Sequence, residues 1–191
     1  EPISDPNIRY YLIYRSLDGE TFEPVGIQNP TFNLYTDYLG QHTTAHYRIA
    51  AVNQAYQESQ PSAVLSATTR PFNDDELLTM VQQATFRYYW DHAHPDAGLA
   101  RECVPGHEHL IALGASGFGL MALIVAAERR FISREAAVAQ LQKALRFLEG
   151  ADRYHGVWSH FLDGRDGKTI SFFGKYDNGG DLVETAFMMQ G

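Results

Sequence analysis

Cysteine is almost missing from this 191-residue chain, in which Cys103 stands alone. A single thiol excludes an internal disulfide and any cysteine-based metal cluster, and it is neutral on compartment. Basic runs are missing too: 15 lysines and arginines face 23 aspartates and glutamates, for a net charge of −8. An acidic surface of this kind repels phosphate backbones and argues against nucleic-acid binding. The longest strongly apolar stretch, Leu120 to Ala127, is too short for a membrane span. No leader-like segment occurs, but a chain that opens at Glu1 rather than methionine says nothing about export by that lack. What remains is a globular composition, 45% hydrophobic and 13% aromatic, at a length suited to one large or two small domains.

Residues 8–69 read as strands. Ile8 to Arg15 is dense in aromatic and β-branched residues and ends at a Ser16-Leu17-Asp18-Gly19 turn. Thr31 to Leu39, Ala45 to Asn53 and Val64 to Thr69 are further predicted strands; in the second of these Tyr47, Ile49 and Ala51 alternate with His46, Arg48 and Ala50. Short strands separated by turns predict a β-sandwich.

From Asn73 the hydrophobic period changes from two to about 3.6. A first helix runs from an acidic cap, Asn73 to Glu76, towards His94-Pro95, with Leu77, Val81, Ala84 and Tyr88 on its apolar face. Residues 117–127 are apolar all round, which predicts a helix buried on every side. Ser133 to Leu148 is amphipathic, with Ala137, Leu141, Leu145 and Leu148 together. Gly156 to Leu162 and Lys168 to Phe173 read as arms of a hairpin, and a further helix begins in DNGGDLVETAFMMQG at 177–191. A wholly apolar helix beside an amphipathic one is the pattern of a helical toroid, inner helices sheathed by outer ones. Four helices cannot close such a ring, so further sequence is expected after Gly191.

Three acids stand out: Asp177, Asp181 and Glu184. Spacings of four and three place them around one helix entrance. Glycosidic cleavage needs such carboxylates, one as proton donor and one to activate water or attack the sugar. Repulsion within so close a pair favours one acid keeping its proton. The same residues also fit a capping box, with Asp181 as N-cap and Glu184 three residues on. Both readings stand at this point.

Other candidates carry a functional and a plain reading side by side. Trp158 and Trp90 offer aromatic planes to sugar rings, yet aromatics at helical spacing usually pack in cores. Arg101 and Glu102 suit sugar hydroxyls or a surface ion pair. His92, His94, His107 and His109 lack the helical spacing of a zinc site, so no metal is expected. Gly114, Gly117 and Gly119 do not follow a predicted strand as a dinucleotide loop would and suit close helix entry. Cys103 reads as a packed thiol.

Two resemblances add to this. HYRIAAVNQAYQESQPSAVLSATT, residues 46–69, resembles the last two strands of a fibronectin type III module. That implies a corner tyrosine at Tyr47, a loop from Asn53 to Pro61, and opening strands upstream of Glu1. TFRYYWDHAHPDAGLARE at 85–102, GASGFGLMALIVAAERRFISREAA at 114–137, FLEGADRYHGVWSHFLDGRDGK at 147–168 and the 177–191 segment are similar, in order, to the bacterial glycoside hydrolases with the glucoamylase-like label, a group that includes the endo-β-1,2-glucanases. The resemblance implies a partial fibronectin III-like sandwich over 1–70 followed by the first helices of an (α/α)6 toroid over 71–191. It further implies an exported enzyme that hydrolyses a glucan, with β-1,2-glucan and inversion foremost, no cofactor, and Asp177, Asp181 and Glu184 in the cleft. A further acid lies beyond Gly191 in that family, so these residues alone are expected to be inactive. A non-catalytic carbohydrate-binding or cell-surface protein on the same fold is the competing reading.

Overall fold

The structure, a computed structural model, describes residues 5–32 and 34–191. The chain forms two compact units, Glu1–Asn73 and Asp74–Gly191.

The first unit holds a four-stranded antiparallel sheet in the order β2-β1-β3-β4, made from β1 (Ile8–Ser16), β2 (Glu23–Gln28), β3 (Thr44–Asn53) and β4 (Leu65–Thr68). β1 and β3 form its long central pair, with Leu12 opposite Ala50 and Tyr14 opposite Arg48. The predicted strand at Thr31 to Leu39 does not form among its described residues; Asn33 lies outside them. There Asn29 builds a turn, its side chain accepting from Thr31 N at 2.9 Å. The ladder goes instead to β2, whose Pro24 and Gly26 masked it; an edge strand tolerates both. Gly26 has a steric reason, because a Cβ there would meet the Tyr35 ring.

The alternation in β3 also departs from expectation. Ala50 and Val52 are buried while Ile49 is 45% exposed. One cause is Arg48, whose guanidinium lies 4.2 Å over the Phe22 ring and helps cover its own face. On the other face Tyr35, Asp37, Tyr47 and Ile49 line an open hollow. Tyr47, implied as a corner tyrosine, donates to Asp37 Oδ2 at 2.7 Å. Burial, and then that bond, push the phenol up to about 12. Burial alone would raise Asp37, but hydrogen bonds from Tyr47 and Arg15 hold it below the usual carboxylate range.

The second unit contains α1 (Asp74–Asp91), β5 (Leu110–Ala112), α2 (Leu113–Glu128), α3 (Arg134–Gly150), β6 (Arg153–Tyr154), β7 (Val157–Trp158), β8 (Phe161–Asp163) and α4 (Leu182–Gln190). Leu113, Leu120, Ala144, Leu148, Leu162 and Met188 join α2, α3, β8 and α4 in one core. α3 begins as predicted, with Ser133 accepting from Ala136 N at 3.1 Å. Its inner face holds Ala137, Ala144 and Leu148, whereas Leu145 is exposed.

Three more expectations need correction. In α1 the packing face is Phe86 with Trp90, against Leu123 and Ala126 of α2; Leu77 and Val81 are exposed. The aromatic pair outbids the aliphatic stripe because it has larger area to bury. α2 is covered on one side only, since Phe118, Met121, Ile124 and Val125 are exposed. The predicted hairpin arm 156–162 is split, because β7 pairs with β6 while β8 pairs with β5. A remnant of the expected hairpin survives where Asp163 N donates to Lys168 O at 2.7 Å and Leu162 bridges Thr169. No helix among the described residues is long and apolar enough to cross a membrane.

Candidate active site

Three pieces of chain converge at the start of α4. β5 runs directly into α2, so that Leu113 N, at the head of this helix, donates to His160 O at 3.1 Å. The next amide, Gly114 N, donates to Glu184 Oε2 at 2.7 Å, across 70 residues of sequence. α4 hangs from β7: Asp181 N donates to Trp158 O at 2.7 Å, and Thr185 Oγ1 accepts from Trp158 N at 3.1 Å. The glycines of α2 permit this approach. A Cβ on Gly114 would sit 2.5 Å from Glu184 Oε2, and one on Gly117 would strike the Phe187 carbonyl. Contrary to expectation a short strand, β5, does precede these glycines, but they lie within the helix and not in a phosphate-cradling loop.

Asp181 is the N-cap of α4, its Oδ1 accepting from Val183 N at 2.9 Å and Glu184 N at 3.0 Å. Half of the capping-box reading therefore holds. The other half fails, because Asp181 N is taken by Trp158 O and Glu184 reaches α2. Between the two carboxylates stands His160. Its Nδ1 is 3.7 Å from Asp181 Oδ2 and its Nε2 is 3.8 Å from Glu184 Oε2. The three side chains are 27% (His160), 32% (Asp181) and 18% (Glu184) exposed, half-open to solvent. The imidazole lies flat on Phe161 at 4.0 Å between centroids and 8° between planes, with Phe173 edge-on at 5.5 Å. Sequence reasoning missed His160; a lone histidine beside a tryptophan on a broken hairpin carries no periodic signal.

Asp177 is not on a helical turn, since α4 starts at Leu182. Its Oδ2 accepts from Phe173 N at 3.0 Å and closes its own loop. Trp158, tied to the start of α4 by backbone hydrogen bonds, is half-buried against the core; its Nε1 donates to Leu148 O at 3.3 Å. Trp90 stacks on Phe86 at 5.8 Å within the α1–α2 packing. Arg101 Nε donates to His92 O at 2.9 Å, and Glu102 N to Leu110 O at 2.9 Å, so both line the edge of β5. Tyr88 OH donates to the Arg101 carbonyl.

The remaining histidines form a structural pair. His94, 1% exposed, accepts at Nδ1 from Asp96 N and Ala97 N, both at 3.2 Å. Its Nε2 therefore carries the proton and donates to His109 Nδ1 at 3.0 Å. Burial pushes His94 below the ordinary histidine range. Among the described residues no group of three or more His, Cys, Asp or Glu side chains could hold a metal ion. Cys103 is exposed rather than packed, on the loop between α1 and β5.

No family model matches the chain. Over all 191 residues it is 54% identical to an exo β-1,2-glucooligosaccharide sophorohydrolase (non-reducing end) of Parabacteroides distasonis, of which it spans 26%. The crystal structure of a β-1,2-glucanase from that organism matches 96% of the chain and 26% of its own length, with TM-score 0.90 and 54% identity. An endo-β-1,2-glucanase from Chitinophaga pinensis, solved with sophorotriose and glucose, matches 63% of the chain and 30% of its own length, with TM-score 0.59 and 46% identity. The chain thus spans about a quarter of the length of the curated relative it matches.

Proposed function

From homology with β-1,2-glucanases along its length, we propose that the protein carrying these residues is a glycoside hydrolase acting on a β-1,2-linked glucan. The observation that carries the reading is the pair Asp181 and Glu184, brought to one imidazole with carboxylate oxygens to spare. Asp181 Oδ1 and Glu184 Oε2 are engaged by backbone amides, leaving Glu184 Oε1, and Asp181 Oδ2 beside His160, for a sugar, its leaving oxygen or a water. Cleavage then follows the acid/base course in which one carboxyl protonates the departing oxygen. Asp177 adds a third acid from the preceding loop. An inverting course, with carboxyl groups about 6.5–9.5 Å apart, needs a further acid from elsewhere in the protein.

Among sugar contacts Trp158 is favoured, because its backbone anchors the first turn of α4. Arg101 and Glu102 are the polar candidates, and Trp90 the least suited, being stacked on Phe86. We read the helical unit as the opening of an (α/α)6 toroid, supported by the uncovered apolar face of α2. The sheet is read as one layer of a fibronectin III-like sandwich, supported by its open, partly apolar face. Export fits a polymeric substrate that does not cross membranes.

Product analysis of the complete protein on a panel of α- and β-glucans tests the reading. Shortening of the β-1,2 polymer alone is expected, and Asp181→Asn should abolish it while leaving glucan binding intact. Binding without cleavage of any glucan would replace it with the non-catalytic carbohydrate-binding role.

A further inference from the structure

We propose that His160 is a positioning residue, its imidazole holding Asp181 and Glu184 on either side of it. This rests on the reading above, that these acids act on a sugar. The ring nitrogens face different carboxylates at nearly equal distances, 3.7 Å to Asp181 Oδ2 and 3.8 Å to Glu184 Oε2. Those separations are just beyond direct hydrogen bonds and within reach of a bridging water or a slight closure. Among the described residues the two carboxylates are the polar side chains that the ring nitrogens face.

The ring is also held still. Phe161 lies beneath it, Phe173 stands at its edge, and Leu113 N fixes its carbonyl. The elements packed around it differ in what they offer. α4 presents the two carboxylates, the head of α2 presents backbone amides, and the segments at 161 and 172–173 present phenyl rings. Each ring nitrogen faces one acid, so a single imidazole spans the gap between the two carboxylates. The carboxylates are thereby held about the ring, with Asp181 Oδ1 also accepting the Val183 and Glu184 amides and Glu184 Oε2 the Gly114 amide.

The test uses the complete protein and a β-1,2-linked gluco-oligosaccharide. His160→Phe keeps the aromatic stack and removes both nitrogens. His160→Asn and His160→Gln return an amide near Nδ1 or Nε2 respectively. The Phe variant should lose about 10- to 100-fold in kcat, as expected for misplaced reacting groups, with KM changed less than about threefold. Asn or Gln should recover part of the loss, and both serve as the test should the Phe variant fail to fold. Wild-type kcat in the variants, a loss carried entirely by KM, or no recovery with either amide would overturn the proposal. Asp181→Asn run alongside separates the two readings. If it is inactive while His160→Phe is normal, only the positioning role falls; if it is fully active, the acid assignment falls with it.

Discussion

His94 and His160 lie in the same helical unit, yet one has hydrogen bonds at both ring nitrogens and the other only longer contacts to two carboxylates. His94 is sealed from water and answers two amides and a second imidazole. A Cβ on Gly164 would collide with its ring at 2.6 Å, so the loop after β8 is moulded to it. His160 is half-open and flanked by acids whose oxygens are only partly satisfied. Saturated polar groups in a sealed pocket stabilise a fold and offer nothing to a ligand. Unspent ones at an opening, aligned by apolar neighbours, are what chemistry requires. Burial and hydrogen-bond saturation together, rather than residue type, separate the two histidines.

The contrast sharpens under substitution. The largest effect is expected at the acids: Asp181→Asn or Glu184→Gln should cut glucan hydrolysis by the complete protein about 10²–10⁴-fold, read as initial rates, with unfolding midpoints near wild type. Phe161, 1% exposed beneath His160, bridges both concerns. Phe161→Ala should cost about 3–5 kcal/mol in urea unfolding and take activity with it. Gly114→Ala targets the amide that holds Glu184; its methyl displaces that carboxylate. A fall of about 10- to 100-fold in kcat with little change in stability is expected.

Effects of pH should fall on the sealed histidine. Its folded-state affinity for protons lies below that of the unfolded chain, so the unfolded state binds more protons as pH falls through the ordinary histidine range. Stability contributed by His94 is present above that range and lost below it, with a slope of at most about 1.4 kcal/mol per pH unit. His94→Gln should flatten that part of a stability-versus-pH curve; an unchanged slope would sink the account. The smallest effect separates cap from charge. Asp181→Ala should be about 1 kcal/mol less stable than Asp181→Asn, because asparagine still accepts the Val183 and Glu184 amides.

Much of this was legible beforehand, and the misses have causes. The switch of period at Asn73, the cap at Ser133 and the start of a helix after Asp181 were readable because each rests on local chemistry. β2 was hidden because Pro24 and Gly26 are acceptable only at an edge, a tertiary fact. The packing face of α1 was misassigned because Phe86 and Trp90 find partners on α2 and beyond it at Phe131, which no periodicity reveals. Asp181 and Glu184 were chosen by spacing, but their meaning depends on Gly114 and His160, remote in sequence. Asp177 was grouped with them by the same spacing, and a helix that begins at Leu182 leaves it on its own loop.

The junction between β5 and α2 has a consequence for how this segment tolerates change in length. Two consecutive amides, Leu113 N and Gly114 N, grip the His160 carbonyl and the Glu184 carboxylate. A single inserted or deleted residue there would swing every following position by about 100° around the helix axis. Gly117 would then turn away from Phe187 and a bulkier neighbour would arrive in its place. Indels should therefore be rejected between Ala112 and Gly117, while the loop from Cys103 to Glu108 accepts them.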